Sequence, residues 1–269
     1  MNASVVIPTR DRPLALRRCL AAVRLQRDVE LEVLVVDDGS LAGEDVAATA
    51  RAYDARLVRL EGVGPAAARN AGVIEACAEV VLLLDDDCRA RPGWAQALVA
   101  AAHSRQLVVA AGQVFNPSGA GVWLRASERI ALDAEVASRF IRTINLGCRR
   151  EILLELPFDE TFRTAAGEDR DWCVRAGRAG VSFLRVPGVG VDHEAELNAL
   201  AFLEQQARYG RAVQVLRRHG THAPMSSRAV RRALAAGFGE SAPVGFAMVA
   251  AQAATAVGYG LEWAFPSHR

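Results

Sequence analysis

The chain has 269 residues, 51% of them hydrophobic, which suits one large α/β domain or a domain with a helical appendage. Its 32 Lys and Arg balance 31 Asp and Glu, so bulk charge gives no case for a nucleic-acid partner. The five cysteines, Cys19, Cys77, Cys88, Cys148 and Cys173, form no Cys-x-x-Cys pair, and their odd number argues against a disulfide framework. The first residues run straight into a strand, with no basic stretch and long apolar run before it. No signal peptide is expected, and the reading is a reducing, cytoplasmic protein.

The first half alternates. Residues 3–7 read as a strand ending at Pro8. Residues 12–25 read as a helix, with Pro13 near its start and Leu14, Leu16, Leu20 and Val23 at helical spacing. Residues 32–36 form a second strand ending in Asp37-Asp38-Gly39-Ser40, followed by a helix over 44–53 and a short strand over 56–60. After the loop Gly62-Val63-Gly64-Pro65 come an Ala-rich helix, 66–76, and a buried strand, 79–84. Pro92 and Gly93 announce a helix over 92–102, and 107–113 is a further strand. Such alternation predicts right-handed crossovers and an α/β, Rossmann-like, mostly parallel central sheet with helices on both faces.

After Asn116 the alternation weakens. Residues 123–140 read as helical, 144–148 as extended, and a helix follows through Leu154. Residues 157–170 form a loop with an acidic end, Gly167-Glu168-Asp169. Then come a helix over 172–179, a strand over 181–186 and a turn over 190–194. Residues 196–219 are helical, with Arg208, Arg211, Arg217 and Arg218 on a basic face. Residues 241–261 carry no charge and are rich in Ala and Gly.

Asp85, Asp86 and Asp87 close the strand 79–84 and are the most informative residues. Adjacent carboxylates repel unless a cation or hydrogen-bond donors neutralise them. At the carboxyl end of a buried strand, where open α/β sheets bind ligands, a hard divalent cation bridging to phosphate oxygens is the natural partner. The alternative is a solvated acidic turn capping the next helix. Other strand ends are polar too, with Thr9-Arg10 after the first and Asp37-Asp38 after the second. A carboxylate there accepts from a base N–H or from ribose hydroxyls. Arg69, in Ala68-Arg69-Asn70-Ala71-Gly72, suits diphosphate oxygens. Each piece also has a plain reading, a good turn for Asp37 to Ser40 and a solvated helix residue for Arg69.

Six segments in order carry a resemblance. They are Ser4-Val5-Val6-Ile7-Pro8-Thr9-Arg10, Val35-Val36-Asp37-Asp38-Gly39-Ser40, Ala68-Arg69-Asn70-Ala71-Gly72 and Leu84-Asp85-Asp86-Asp87. The last two are Asn145-Leu146-Gly147-Cys148-Arg149-Arg150 and Pro157-Phe158-Asp159-Glu160 leading to Gly167-Glu168-Asp169-Arg170-Asp171. With these segments the chain resembles a family-2 glycosyltransferase with the GT-A fold. The resemblance implies a metal-dependent, inverting transferase that moves a sugar from a nucleoside-diphosphate sugar to an acceptor, with Mn²⁺ or Mg²⁺ as cofactor. It implies a nucleotide-sugar-binding half over 1–115, an acceptor-binding and catalytic half over 116–195, and a C-terminal helical extension over 196–269.

Position by position, Asp87 matches the family's metal ligand, with help from Asp85, and Asp85 and Asp86 lie near the ribose. Pro8, Thr9, Arg10 and Asp38 match positions around the nucleotide base and ribose. His193 falls where some members supply a late metal or diphosphate ligand. Asp169 matches the catalytic base, beside Glu168. Arg10-Asp11-Arg12 stands where the family often has Tyr-Asn or Phe-Asn, so an arginine replaces an aromatic ring there.

The chemistry is consistent with that assignment. A metal neutralises charge developing on a leaving diphosphate, one carboxylate takes the acceptor's proton, and attack opposite the leaving group inverts the anomeric centre. Trp94, Trp123 and Trp172 are candidates to face an acceptor sugar, Trp172 first among them, with core packing as the alternative. The acceptor is open among saccharide, lipid-linked intermediate, peptide and natural product. Two rivals remain. A nucleotidyltransferase ordinarily needs a Gly-rich loop near the first strand, and residues 8–12 contain no glycine. A non-catalytic nucleotide-sugar-binding protein would not need both acidic motifs intact. Residues 241–261 are long enough to span a bilayer but weakly apolar. Packing on the domain or as a homodimer is the first reading, then peripheral contact with the inner face of a membrane, then a true span, with Trp263 and Phe265 keeping the membrane readings open.

Overall fold

Eight strands and ten helices follow one another in the computed structural model, which describes residues 2–115, 119–138, 140–195, 197–222 and 227–264. In chain order they are β1 (Asn2–Thr9), α1 (Pro13–Arg24), β2 (Glu30–Asp38), α2 (Gly43–Ala52), β3 (Arg56–Leu60) and α3 (Pro65–Glu75). Next come β4 (Val80–Leu84), β5 (Cys88–Ala90), α4 (Trp94–His103), β6 (Val108–Phe115), α5 (Val122–Ser138) and β7 (Asn145–Arg149). The last are α6 (Arg150–Glu155), α7 (Glu168–Arg178), β8 (Ser182–His193), α8 (Ala199–Arg218), α9 (Ser227–Glu240) and α10 (Ala242–Ala264). The chain forms two units. One is Met1–Phe115, Ile141–Arg163 and Arg175–Glu194; the other is Asn116–Phe140, Thr164–Val174 and Ala195–Arg269.

The first unit holds the sheet, in the order β3-β2-β1-β4-β7-β6-β8-β5. Its centre is where the sequence is most apolar. All five residues of β4 are fully buried, each worth roughly 1.5–3 kcal/mol for a large aliphatic side chain. Val80, Leu82 and Leu84 pack with Val5, Ile7, Leu16, Leu20, Trp94 and Leu98. Pro13 opens α1, whose Leu16, Cys19, Leu20 and Val23 face the sheet, while Leu14, also at helical spacing, points to solvent.

The expected parallel arrangement holds for β3, β2, β1 and β4, and β6 and β8 are parallel too. Beyond β4 the sheet becomes mixed, because β7 inserts antiparallel between β4 and β6, and β5 pairs antiparallel with β8. The expected turn over 190–194 is corrected. β8 continues to His193, because Gly190 to Asp192 pair with Gln113 to Phe115 and Val191 to His193 pair with Ala90 to Cys88. Pro187 and Gly188 look like punctuation, yet they lie within a strand that bulges past β6. Gly190 is required there, since a Cβ would sit 1.8 Å from the Gln113 carbonyl oxygen.

In the second unit α5, α8, α9 and α10 surround a smaller core of Ala126, Phe202, Ala233, Val244, Ala247, Met248 and Ala251. Helix α9 lies within the span 196–269 expected to be helical, in a stretch between 219 and 241 where no individual helix was read from sequence. Residues Asn116, Glu196 and Phe265, which entered the expectations above, lie outside the described residues, as does residue 139 of the expected helix 123–140.

Candidate active site

The site grows from the carboxyl ends of neighbouring parallel strands. β1 ends at Thr9, whose hydroxyl donates to Asp86 Oδ2 at 2.7 Å. The loop that follows is held in an unusual shape. Asp11 adopts a left-handed φ of 55°, its N–H donates to Ser40 Oγ at 2.8 Å, and its carboxylate accepts the Leu41 N–H at 2.6 Å. Arg10 and Arg12 flank this pinned residue. Arg10 approaches Asp38 at 3.9 Å. Arg12 Nη1 lies 3.3 Å from Asp86 Oδ1 and 3.0 Å from Asp87 Oδ2.

Asp85, Asp86 and Asp87 turn the chain from β4 into β5, with the Cys88 N–H returning to the Asp85 carbonyl at 3.1 Å. Arg69, on α3, is buried and gives Nη2 to Asp85 Oδ1 at 2.9 Å, its guanidinium over the Phe158 ring. It was expected to be available to a diphosphate; here it neutralises a carboxylate. Its neighbour Asn70 clamps the loop after α6, donating to the Phe158 carbonyl and Glu160 and accepting the Phe158 N–H.

The strand character of residues 190–193 explains the far side of the site. Alternation along β8 sends Asp192 and His193 to opposite faces. Asp192 takes Arg91 at 2.6 Å, and Glu194 takes Arg18 and Arg89, each at 3.2 Å. His193 Nε2 lies 3.5 Å from Asp87 Oδ1, and the Glu194 N–H donates to the Asp87 carbonyl at 2.8 Å. Asp87 is therefore gripped through both side chain and main chain.

The two inner carboxylates have opposite tendencies. Burial, then the charge of Asp87, pushes Asp86 up to about 7 against the opposing pull of Arg12 and Thr9. Burial also acts upward on Asp87, but the hydrogen bond and charge of His193, with Arg12, outweigh it and hold Asp87 at about 2. Asp87 is the permanent anion of the pair.

Asp38 and Arg10 form a separate cluster at the end of β2. Asp38 accepts the N–H groups of Val63 and Gly64 at 2.7 and 2.9 Å, and so shapes the loop entering α3. Gly64 has φ 102°, and a Cβ there would meet the Arg163 backbone at 2.7 Å, so the loop needs glycine. Pro8 sits in β1 opposite Val36.

Glu168 and Asp169 belong to the second unit, in the first turn of α7, where acidic groups complement the helix N-terminus. Glu168 is buried; Asp169 is half-buried and accepts the Arg170 N–H at 2.7 Å. Two turns of chemistry expected for tryptophan are corrected. Trp94 and Trp172 are fully buried, Trp94 donating to Asn145 Oδ1 at 2.6 Å, so neither faces an acceptor. Trp123 packs on Phe202 in the smaller core. The residue that sequence reasoning left out of the site is Arg12. It lies in the loop between β1 and α1, just before the helix-opening proline, and reaches the aspartates only because β1 pairs with β4.

Among the described residues no three His, Cys, Asp or Glu side chains form a closed metal cage. Asp87 and His193 offer one carboxylate and one imidazole. That donor set fits Mn²⁺ or Mg²⁺ completed by phosphate oxygens and water, and the Arg12 bridge shows that the aspartate pair accepts a shared cation.

Residues 4–166 match the family model described as Glycosyl transferase family 2, and the chain belongs to that family. It is 29% identical over 224 residues to the pre-mycofactocin glycosyltransferase of Mycobacterium tuberculosis, covering 78% of this chain and 46% of that protein. It thus spans about half the length of that curated relative. A Bacillus subtilis protein, the uncharacterized glycosyltransferase YwdF, is 37% identical over 97 residues, 35% of each chain. Among solved structures, the mannosyltransferase PcManGT of Pyrobaculum calidifontis, in complex with GDP-Man and Mn²⁺, superposes with a TM-score of 0.64 at 18% identity, covering 98% of this chain and 76% of that one. Glucosyl-3-phosphoglycerate synthase of Mycobacterium tuberculosis, with Mn²⁺ and UDP, gives 0.57 at 19% identity, covering 82% and 81%. The fold is that of GT-A glycosyltransferases.

Proposed function

We propose that the chain transfers a sugar, with inversion, from a nucleoside-diphosphate sugar to an acceptor nucleophile. The observation that carries this reading is the cluster of Thr9, Asp86, Asp87 and His193 at the end of β4. Asp87 and His193, with Asp85 nearby, would hold a divalent ion, which would supply electrostatic stabilisation to the leaving diphosphate. Asp86, oriented by Thr9, accepts from ribose hydroxyls. Pro8, Arg10 and Asp38 border the base; each Asp38 oxygen keeps a second lone pair beyond its backbone partner. Asp169, beside a helix N-terminus that favours a carboxylate, removes the acceptor proton, and Glu168 orients its turn. The solved structures with GDP-Man, or with UDP, and Mn²⁺ support a donor of this class and a divalent ion.

Asp169→Asn keeps the shape and removes the proton acceptor. Turnover is expected to fall by roughly 10²–10⁴, with donor affinity nearly unchanged. Donor affinity and transfer rate are measured together, with product stereochemistry by NMR. Full activity in the variant, or a retained configuration, moves the base elsewhere. Release of pyrophosphate instead of a nucleoside diphosphate would favour the nucleotidyltransferase, and release of neither the binding protein.

The second unit supports peripheral contact with an anionic membrane face, at the cytoplasmic side. Helix α10 is long and apolar enough to cross a membrane, yet one flank is packed in the smaller core. Its other flank exposes Phe246 (67%) and Trp263 (76%). Arginines lie beside it. Arg217 lies on Tyr259 and Arg218 pairs with Glu262, while Arg228, Arg231 and Arg232 are exposed on α9, which packs Phe238 against Phe246. Apolar residues flanked by arginines suit an interfacial helix. Co-sedimentation with phosphatidylglycerol vesicles but not phosphatidylcholine vesicles is expected. A dimer in solution that leaves both vesicles unbound gives the face to a second copy.

A further inference from the structure

Two guanidinium groups serve the three aspartates after β4, and they are held in different ways. Arg69 is 4% exposed, fixed on Asp85 and stacked over Phe158. The Arg12 side chain is 57% exposed, and one nitrogen, Nη1, bridges Asp86 and Asp87. Its backbone cannot follow it. Asp11 is tied to Ser40 and Leu41 on one side, and Pro13 starts α1 on the other. The side chain can therefore leave the carboxylates for solvent or a ligand while the loop stays in place.

The charges define what could replace it. The aspartates already hold Arg69, Arg12 and the His193 imidazole, and of these Arg12 is the most exposed. A divalent ion arriving alone meets a guanidinium already bound to its principal carboxylate ligand, Asp87. An ion arriving with a diphosphate brings its own negative oxygens, and those are good partners for a guanidinium. We propose that Arg12 is a resident counter-cation of Asp86 and Asp87, drawn off them by the donor's diphosphate, so that divalent-ion binding is conditional on donor binding. This rests on the nucleotide-sugar reading above. Arg12 is then a positioning residue in the free enzyme and a diphosphate partner in the loaded one. Since coupling between two ligands is reciprocal, removing Arg12 must weaken the coupling seen from either side.

The test is a Mn²⁺ titration followed by electron paramagnetic resonance, with and without UDP, GDP or TDP. It compares the wild-type chain with Arg12→Gln and Arg12→Lys, each checked for folding by circular dichroism. Without nucleotide, Arg12→Gln is expected to bind Mn²⁺ about tenfold more tightly than wild type, a typical coupling magnitude, and the nucleotide's enhancement should shrink by the same factor. Arg12→Lys, which keeps the charge but not the planar fork, should shift the same way by less. The lysine variant decides the matter if the glutamine variant does not fold. Unchanged Mn²⁺ affinity in the folded variants, with wild type still binding nucleotide and Mn²⁺ together, overturns the role of Arg12 alone. A wild-type chain that binds no nucleoside diphosphate with Mn²⁺ overturns the donor reading and this inference with it.

Discussion

Asp38, at the end of β2, and the aspartates after β4 occupy equivalent places, at the ends of the two strands that pair in parallel with β1, yet they are satisfied by opposite means. Asp38 is held by two backbone N–H groups of the Val63-Gly64 loop. Asp86 and Asp87 are held by side chains, Thr9, His193 and the half-exposed Arg12. A carboxylate bound by main chain shapes its surroundings and cannot let go without the loop moving. A carboxylate bound by a solvated side chain can exchange partners, which a substrate-binding centre requires.

The largest expected effect tests the fixed side of that contrast. Asp38→Ala leaves the Val63 and Gly64 N–H groups without their acceptor, a loss of about 2–6 kcal/mol of stability at roughly 1–3 kcal/mol per group. Urea denaturation measures it. A loss below about 1 kcal/mol would mean that water replaces the carboxylate and that Asp38 is no more architectural than Asp87. Asp87→Asn should weigh more on the metal, lowering Mn²⁺ affinity in the presence of nucleotide by about 10–100-fold with a smaller loss of stability than Asp38→Ala. Calorimetry reads the affinity, and equal effects on stability at both aspartates would erase the distinction.

The smallest effect is in pH. Asp86 is raised to about 7, well above the ordinary aspartate value near 4, so over that window the folded chain holds a proton the unfolded chain has lost. Its contribution to ligand-free stability is therefore present at the acid end and lost as pH rises toward 7. Asp87, lowered to about 2, acts oppositely, and its contribution is lost as pH falls from about 4 toward 2. Thermal midpoints of ligand-free wild type between about pH 4 and 7 should carry a decline that Asp86→Asn removes. The same slope in both proteins would put that proton on another group.

Much of this contrast was legible in sequence and part was not. Val80 to Leu84 could only be a buried strand, and three carboxylates at its end needed a counter-charge. The identity of that counter-charge was hidden, because Arg12 and Asp87 are remote in sequence and meet only through the pairing of β1 with β4. For the same reason β7 was legible as extended but not as the antiparallel insert that makes the sheet mixed. In β8, Pro187 and Gly188 carry strong local turn signals that pairing with β5 and β6 overrides. Trp172, beside the acidic motif, was open between facing an acceptor and packing in the core; burial decides it, and proximity in sequence does not encode burial.

The strand β8 has a consequence for how the chain is made. It supplies His193 to the aspartates and covers β5 and β6, yet it is the last part of the first unit in the chain. Synthesis runs from the N-terminus, and domains fold as units while it proceeds. Here β1 to β4 can associate early, while the edges of β5 and β6 wait for the residues through His193 to leave the ribosome. Until then those edges are open to wrong partners. A nascent chain arrested before Ser182 would display the aspartate triad without its histidine, and slow passage through residues 182–193 would be the interval in which it most needs a chaperone.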